Sequence, residues 1–530
     1  MRPKNAIGGA LLFAALLWFA PRLYAADAQG FVWRWMPVGL QVSTTVSDGS
    51  FTMEEVFDTA HEAGLEALII MDRDTMRWEY GLWPLQHLLK RSESEKSVSS
   101  YGYSNYLHDI SFYSRKYPDL IIIPGVEAAP FYYWTGSLFS GSLRLNNWHR
   151  HILVAGLTDA EDLRHLPNVA RPSTIARSWR WVDIFRLFPF VLLGAGAFLF
   201  YRREYDYADE KGVVCSRFSL RWRLTGIGAA CLGLLFIINE NPFLPQGYDQ
   251  YSRTAGYRPY QDFIDYVRGE GGLTFWAHPE AANSGEHDGV RYETLAHPGA
   301  IMETKDYTGF CVFPEGLKIV GAPGGQWDRA LMEYCRGERA APVWAVSGMS
   351  FDTGSRQELL RRMEGTRTYV LGEALNWHDI LDAMRGGRMY ATAGGADDPL
   401  LLHEFSVMDS STGQRVGPGS IAVISGSPIV AVTADRKGSQ EEQAAQEPEV
   451  PRRPDTGPKD IKVSVIRNGE VVKEEDHALP LGFFYVDPQP LKKASFYRVV
   501  ITRGPQTIVT NPIFAIPKVT AEKTGKDTKG

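Results

Sequence analysis

Apolar residues along this chain follow two different rhythms, and the change between them falls near residue 396. Before it, helical spacing alternates with short continuous apolar runs. Met53–Gly64 is apolar at helical spacing, with Thr52 as N-cap, Glu55 three positions on and a glycine stop. Leu65–Met71 then reads as a buried strand. Pro259–Gly269 is a second amphipathic helix, closed by Gly271-Gly272 before another strand. This alternation predicts a mostly parallel sheet covered by helices. After residue 396 come short strands: Leu401–Val407, Ile421–Ile424, Ile429–Thr433, Ile461–Ile466, Phe496–Thr502 and Ile508–Phe514. Arg467-Asn468-Gly469-Glu470 supplies a hairpin turn. A small β-sandwich is expected over 397–518, with a disordered polar loop at 435–460 and a disordered tail at 519–530.

Three longer apolar stretches fit neither rhythm. In residues 1–28, Arg2 and Lys4 precede an apolar run from Ala6 to Ala20 and then small residues, the pattern of a signal peptide or N-terminal anchor. Val182–Tyr201 and Leu224–Asn239 interrupt the α/β part; the first approaches the ~20 residues that span a bilayer, and the second does if Asn241–Leu244 extends it. Arg202, Arg203, Lys211, Arg217, Arg221 and Arg223 crowd the connecting loop, which by the positive-inside tendency faces the cytoplasm. The expected order is therefore α/β at 29–175, a transmembrane hairpin at 176–245 and α/β again at 246–396. Two crossings return the chain to its starting side. Both α/β parts and the sandwich are thus expected on the exported, periplasmic or extracellular, face, with the lipid bilayer as a partner.

Composition narrows the partners further. With 56 Lys and Arg against 62 Asp and Glu, the net charge is −6, and no basic stripe interleaved with aromatics appears. Nucleic acid is not expected as a partner. No pattern names a protein partner. Cys311 and Cys335, both on the exported side, are expected either as a disulfide or as two small buried side chains.

The chemistry-bearing residues cluster at strand ends. Gly39-Leu40-Gln41-Val42-Ser43-Thr44-Thr45-Val46-Ser47-Asp48-Gly49 precedes the first helix, and the next strand ends in Asp72-Arg73-Asp74. Leu120–Glu127 ends in Pro124-Gly125-Val126-Glu127, and His151 leads an apolar strand. Gly271–Trp276 runs into Ala277-His278-Pro279, and Gly348-Met349-Ser350-Phe351-Asp352 comes last. In this order, over roughly residues 36–395 apart from the insertion, these stretches resemble the PHP (polymerase and histidinol phosphatase) family. The family patterns are His-x-His-Thr-x-x-Ser-Asp-Gly, Asp-His-Asp, Pro-Gly-x-Glu, a histidine-led strand, Ala-His-Pro and Gly-Ser-Asp-x-His. The resemblance implies a distorted (β/α)7 barrel with its chemistry at strand C-terminal ends, interrupted here by the transmembrane hairpin. It extends to the appended β-domain, through Tyr497-Arg498-Val499 and Asn511-Pro512-Ile513. That domain is expected to bind a ligand or to brace the barrel.

The same resemblance implies what has been lost. Gln41 and Ser43 stand at the paired histidines, Arg73 at the next histidine, Ser350 at an aspartate and Asp352 at a histidine. One family metal site thereby keeps only Glu127 and is expected to be empty. A second, now Asp48, Arg73 and Asp352, contains a guanidinium hostile to a cation, with Arg73 expected to pair with Asp352 or Asp72. The third keeps Glu127, His151 and His278, a set suited to one divalent metal, zinc or manganese, with an open position for water. Asp72 and Glu280 are expected to support these ligands, Glu280 as a proton donor or as a solvated loop carboxylate. His149 is expected at the surface or behind His151, and Phe131-Tyr132-Tyr133-Trp134 as a pocket floor or as packing. Two readings stand: a membrane-anchored hydrolase of phosphoesters or related esters and amides, or a catalytically inactive pseudoenzyme that binds or scaffolds at the membrane surface, and the metal, expected as one ion, is absent in the limiting case.

Overall fold

The computed structural model describes residues 34–171, 174, 181–208, 212, 214–240, 247–287, 289–372, 376–436 and 458–518. The expected signal or anchor, most of the expected polar loop and all of the expected tail lie outside the described residues.

Strand β1 (Arg34–Leu40) leads through helix α1 (Met53–Glu62) to β2 (Ala67–Arg73). Thr52 and Glu55 close a reciprocal capping box at the start of α1, while Met53, Val56, Phe57 and Ala60 bury its inner face. A hairpin, β3 (Arg77–Gly81) and β4 (Lys90–Ser94), leaves the sheet before β5 (Ile121–Ala128) and β6 (Ile152–Ala155). Helix α2 (Phe188–Tyr201) and helix α3 (Leu220–Glu240) intervene before helix α4 (Arg258–Gly269) and β7 (Leu273–Trp276). The α/β part closes with β8 (Gly309–Phe313), helix α5 (Gln326–Cys335), β9 (Trp344–Ser347), β10 (Arg367–Gly372) and β11 (Met389–Ala393).

The strands form one sheet in the order β9-β8-β7-β6-β5-β2-β1-β10-β11. Pairing is parallel for β1–β2, β2–β5, β7–β8 and β8–β9. Strand β6 departs from the expected pattern and runs antiparallel to both β5 and β7. Its connection from β5 carries a short ribbon, Tyr133–Thr135 with Arg144–Asn146, instead of a crossover helix, so β6 re-enters at the rim where β5 leaves. His151, just ahead of β6, consequently shares a rim with the C-terminal ends of its neighbours. Past β9, Met349 N donates to Leu40 O at 2.8 Å, and Val42 forms a parallel bridge with Phe351. The chain after β9 therefore returns to the end of β1.

The C-terminal part is built on two sheets. Strands β12 (Leu400–Asp409), β13 (Pro428–Arg436) and β15 (Leu481–Val486) pair in one. Strands β14 (Ile461–Arg467), β16 (Ser495–Arg503) and β17 (Gln506–Thr510) pair in the other. Phe405, Val432, Phe483, Val463 and Ile501 fill a separate core. Strand β17 also pairs with β11, so hydrogen bonding runs unbroken from the α/β sheet into this part. Arg498 forks onto Asp328 of α5 at 2.7 and 2.8 Å, and Asn511 clips the backbone of Ala345 in β9 through both amide atoms. Of the two expected roles, these contacts are those of a brace.

Helices α2 and α3 pack on each other through glycines. A Cβ on Gly196 or Gly226 would lie 2.7 or 2.6 Å from the opposite backbone oxygen, so larger residues would separate the pair. Ile184–Tyr201 and Leu220–Glu240 are long and apolar enough to cross a membrane, and few of their residues are buried within the chain, Pro189 and Gly196 in the first and Gly226, Gly233 and Asn239 in the second. The second reaches its length by starting earlier, at Leu220, and its expected extension, Asn241–Leu244, lies outside the described residues. The basic segment is not a bare loop either. Arg203 and Arg217 lie on a two-stranded ribbon, and Arg221 and Arg223 begin α3, while Lys211 is outside the described residues.

Two pairs of expected alternatives are decided by the packing. Cys311 and Cys335 are both free: Cys311 is buried in β8 with Sγ 3.9 Å from Gln41 Oε1, whereas Cys335 ends α5. Phe131, Tyr132 and Trp134 are buried packing residues, Tyr132 and Trp134 holding the backbone of Glu79.

Candidate metal centre

The functional rim is assembled by sheet register. Parallel pairing of β2 with β5 sets Arg73 opposite Glu127, and antiparallel β6 brings His151 alongside. Ala277 N donates to His151 O at 3.2 Å, which fixes His278 next to His151, their rings 5.3 Å apart. One ligand atom from each of Glu127, His151 and His278 lies within 4.8 Å of the others. Glu127 and His151 are buried, and His278 is half-buried. His278 Nδ1 is buried without a hydrogen-bond partner.

Arg73 fills much of the remaining rim. Its Nε reaches Asp48 Oδ2 at 2.9 Å, Nη1 lies 2.7 Å from Glu127 Oε1 and 2.9 Å from His151 Nδ1, and Nη2 reaches Asp352 Oδ2 at 3.4 Å. The side chain thus pairs with Asp352 and not with Asp72. Burial alone would raise the Glu127 carboxyl pKa, but Arg73, His151 and His278 overcome it and hold it far below the usual range. Burial, helped by Arg73, lowers His151 to about 4, leaving a neutral imidazole. Three carboxylates, Asp48, Glu127 and Asp352, thus face one guanidinium. The deficit is two positive charges, the charge of one divalent cation.

Two of the positions at which ligands were expected to be missing have a distinctive backbone. Gln41 and Ser350 have φ of 66° and 48°, a region non-glycine residues seldom occupy. Gln41 Nε2 lies 3.4 Å from Glu127 Oε1, and Ser43 Oγ donates to Asp352 Oδ1 at 3.2 Å. Gln41 and Ser43 are thus tied to two acids of the rim. Asp72 is fully buried, accepting from Thr44 N and Ser47 Oγ at 2.7 Å each, and so fixes the loop that carries Asp48. Glu280 is held by backbone donors. It accepts from the amides of Lys318, Ile319 and Val320 at 3.1, 2.8 and 2.7 Å and so pins the segment after β8.

A cavity of about 20 Å³, room for a water-sized guest, is lined by Asp48, Arg73, Thr75, Glu127, Trp148, His149 and His151. His149 is therefore a pocket residue, its ring 5.7 Å from that of His151, and burial lowers its pKa to about 3. A larger cavity of about 410 Å³ lies against α5 and the Asn468 turn and includes none of the candidate ligands. His297 was missed by sequence reasoning. It is buried 5.6 Å from Trp276 with Nε2 unpartnered, and its Ala296-His297-Pro298 repeats the tripeptide around His278.

No family model matches the chain, and no curated protein does. Among solved structures, it is similar to a two-domain protein containing a predicted PHP-like metal-dependent phosphoesterase from Bacteroides vulgatus. Identity there is 8%, covering 92% of this chain and 94% of that one, with a TM-score of 0.32. It is also similar to an amidohydrolase from Chromobacterium violaceum, at 16% identity over 59% of this chain and 87% of that one, with a TM-score of 0.23. At such TM-scores similarity alone assigns no activity, and the chemistry rests on this chain's own side chains.

The donor set fits a divalent ion. Glu127, His151 and His278 converge with an orphaned nitrogen among them, whereas the positions around Arg73 already hold a fixed cation.

Proposed function

We propose that this protein is a membrane-anchored, PHP-like metal-dependent hydrolase of small phosphoesters or related esters and amides. Strands β1, β2 and β5 to β9 supply its seven-stranded distorted barrel, and barrel and β-domain stand on the exported face. The observation that carries the reading is the convergence of Glu127, His151 and His278 within 4.8 Å. These three would hold the ion, which when bound lowers the pKa of a water toward ~7. Glu127 stays ionised and His151 neutral, the states in which both donate electron pairs. Asp48 and Asp352 hold the Arg73 guanidinium in place, a positive charge beside the ligands that favours an anionic group on a substrate. Arg202 and Arg203 at the end of α2 support a cytoplasmic ribbon.

Metal analysis of the purified full chain tests this. About one zinc or manganese per chain is expected, with affinity falling as pH drops and the imidazoles protonate. His278→Ala should abolish binding; unchanged metal content would place the ligands elsewhere. The pseudoenzyme reading has one observation in its favour, that Arg73 Nη1 already sits within 2.9 Å of two of the three donors. Wild-type protein that takes up no metal, beside an Arg73→Ala variant that does, would favour it.

A further inference from the structure

We propose that the turn Leu82–Leu89, between β3 and β4, is a second membrane contact, seated in the lipid headgroup layer beside the α2–α3 hairpin. This rests on the reading that the hairpin crosses a bilayer. Asn239, in the last turn of α3 and 2% exposed, accepts from His87 N at 2.9 Å and donates to Pro84 O at 3.2 Å. Arg186, ahead of α2, donates to Glu240 O. The turn is thus tied to the level at which both helices leave the apolar layer.

The turn is also rigid and uncovered. Leu82 N donates to Leu89 O at 2.8 Å and Leu89 N to Leu85 O at 2.7 Å, while Trp78 of the stem packs on Trp134 at 5.5 Å. Yet Trp83 is 83% exposed, Leu89 54% and Leu88 40%. Three large apolar side chains on a fixed turn, continuous with a membrane helix, match the headgroup boundary, where tryptophan is favoured. Thr75 and Met76 line the cavity and β3 starts at the next residue, so about 17 Å of strand separates that rim from the turn. Substrate would then be met close to the membrane surface.

The test uses full-length protein carrying Cys215→Ser, Cys231→Ala and Cys335→Ser, reconstituted in vesicles of phosphatidylcholine and phosphatidylglycerol. An environment-sensitive fluorophore is attached through Leu88→Cys, Trp83→Cys, Leu234→Cys in α3, or Ile319→Cys as an exposed site away from the hairpin. Blue-shifted emission quenched by doxyl-labelled lipid is expected at 83, 88 and 234 and not at 319. Quenching at 234 alone overturns the turn contact and leaves the spanning helices standing. No quenching at 234 overturns both. A blue shift at 83 and 88 that doxyl lipid does not quench means a protein surface covers the turn, which also overturns the proposal.

Discussion

Two buried arginines in this protein are used in opposite ways. Arg498, fully buried, gives Nε and Nη2 to a single carboxylate, Asp328, and stacks 4.6 Å over the Trp327 ring. Arg73 spreads its three nitrogens over Asp48, Glu127 and Asp352 and touches His151, forking onto none of them. The first pair is electrostatically closed and ties the β-domain to α5. The second leaves two negative charges over. A guanidinium matched to one acid holds structure together, whereas one shared among three leaves room for another cation.

The largest effect is expected from breaking the closed pair. Arg498→Met strands Asp328 in the interior and should cost about 3–5 kcal/mol in unfolding measurements, with metal content per folded chain unchanged. Arg498→Met with Asp328→Leu should recover most of that loss; a double variant as weak as the single one would place the cost in packing and not in charge.

A smaller effect is expected at Asp72, next to Arg73 in sequence but outside its ion pairs. Burial, only partly offset by hydrogen bonds from Ser47 and Thr44, raises its pKa from 3.8 to about 6. The folded state then keeps a proton the unfolded chain has released, so this group makes stability fall as pH rises from about 4 to about 6. Asp72→Asn should remove that slope and gain on wild type by up to about 3 kcal/mol across the window, compared through unfolding midpoints. Parallel pH profiles would show that Asp72 ionises freely.

The smallest effect sharpens the comparison most. Arg73→Gln removes the resident cation and should raise zinc affinity about tenfold or more, read by competition with a chelating dye. Added zinc should then raise the unfolding temperature of this variant more than that of wild type. Equal affinities would mean that the guanidinium does not oppose the ion.

Local signals made much of this architecture legible. The Thr52 and Glu55 cap, the strand before Asp72, the helix before Gly271 and the Asn468-Gly469 turn all stand where short-range pattern put them. Glu127, His151 and His278 were found because each is anchored in a recognisable strand, and they do converge. What sequence hid is register and return. Nothing local says that Arg73 faces Glu127 across a parallel pair, or that β6 is inverted so that its first residue meets the rim. His297 sits on a segment that folds back under Pro279, where spacing carries no signal beyond its repeated tripeptide.

The unbroken sheet has a consequence for the order of assembly. Strand β6 and its partner β7 are separated by the whole hairpin, and β11 finds its outer partner only in residues 506–510. Early strands must wait with open edges while more than a hundred residues follow. The rim that carries Glu127 and His151 is therefore among the first parts made and among the last secured, and a chain stalled before Asn511 would present sticky strand edges instead of a pocket.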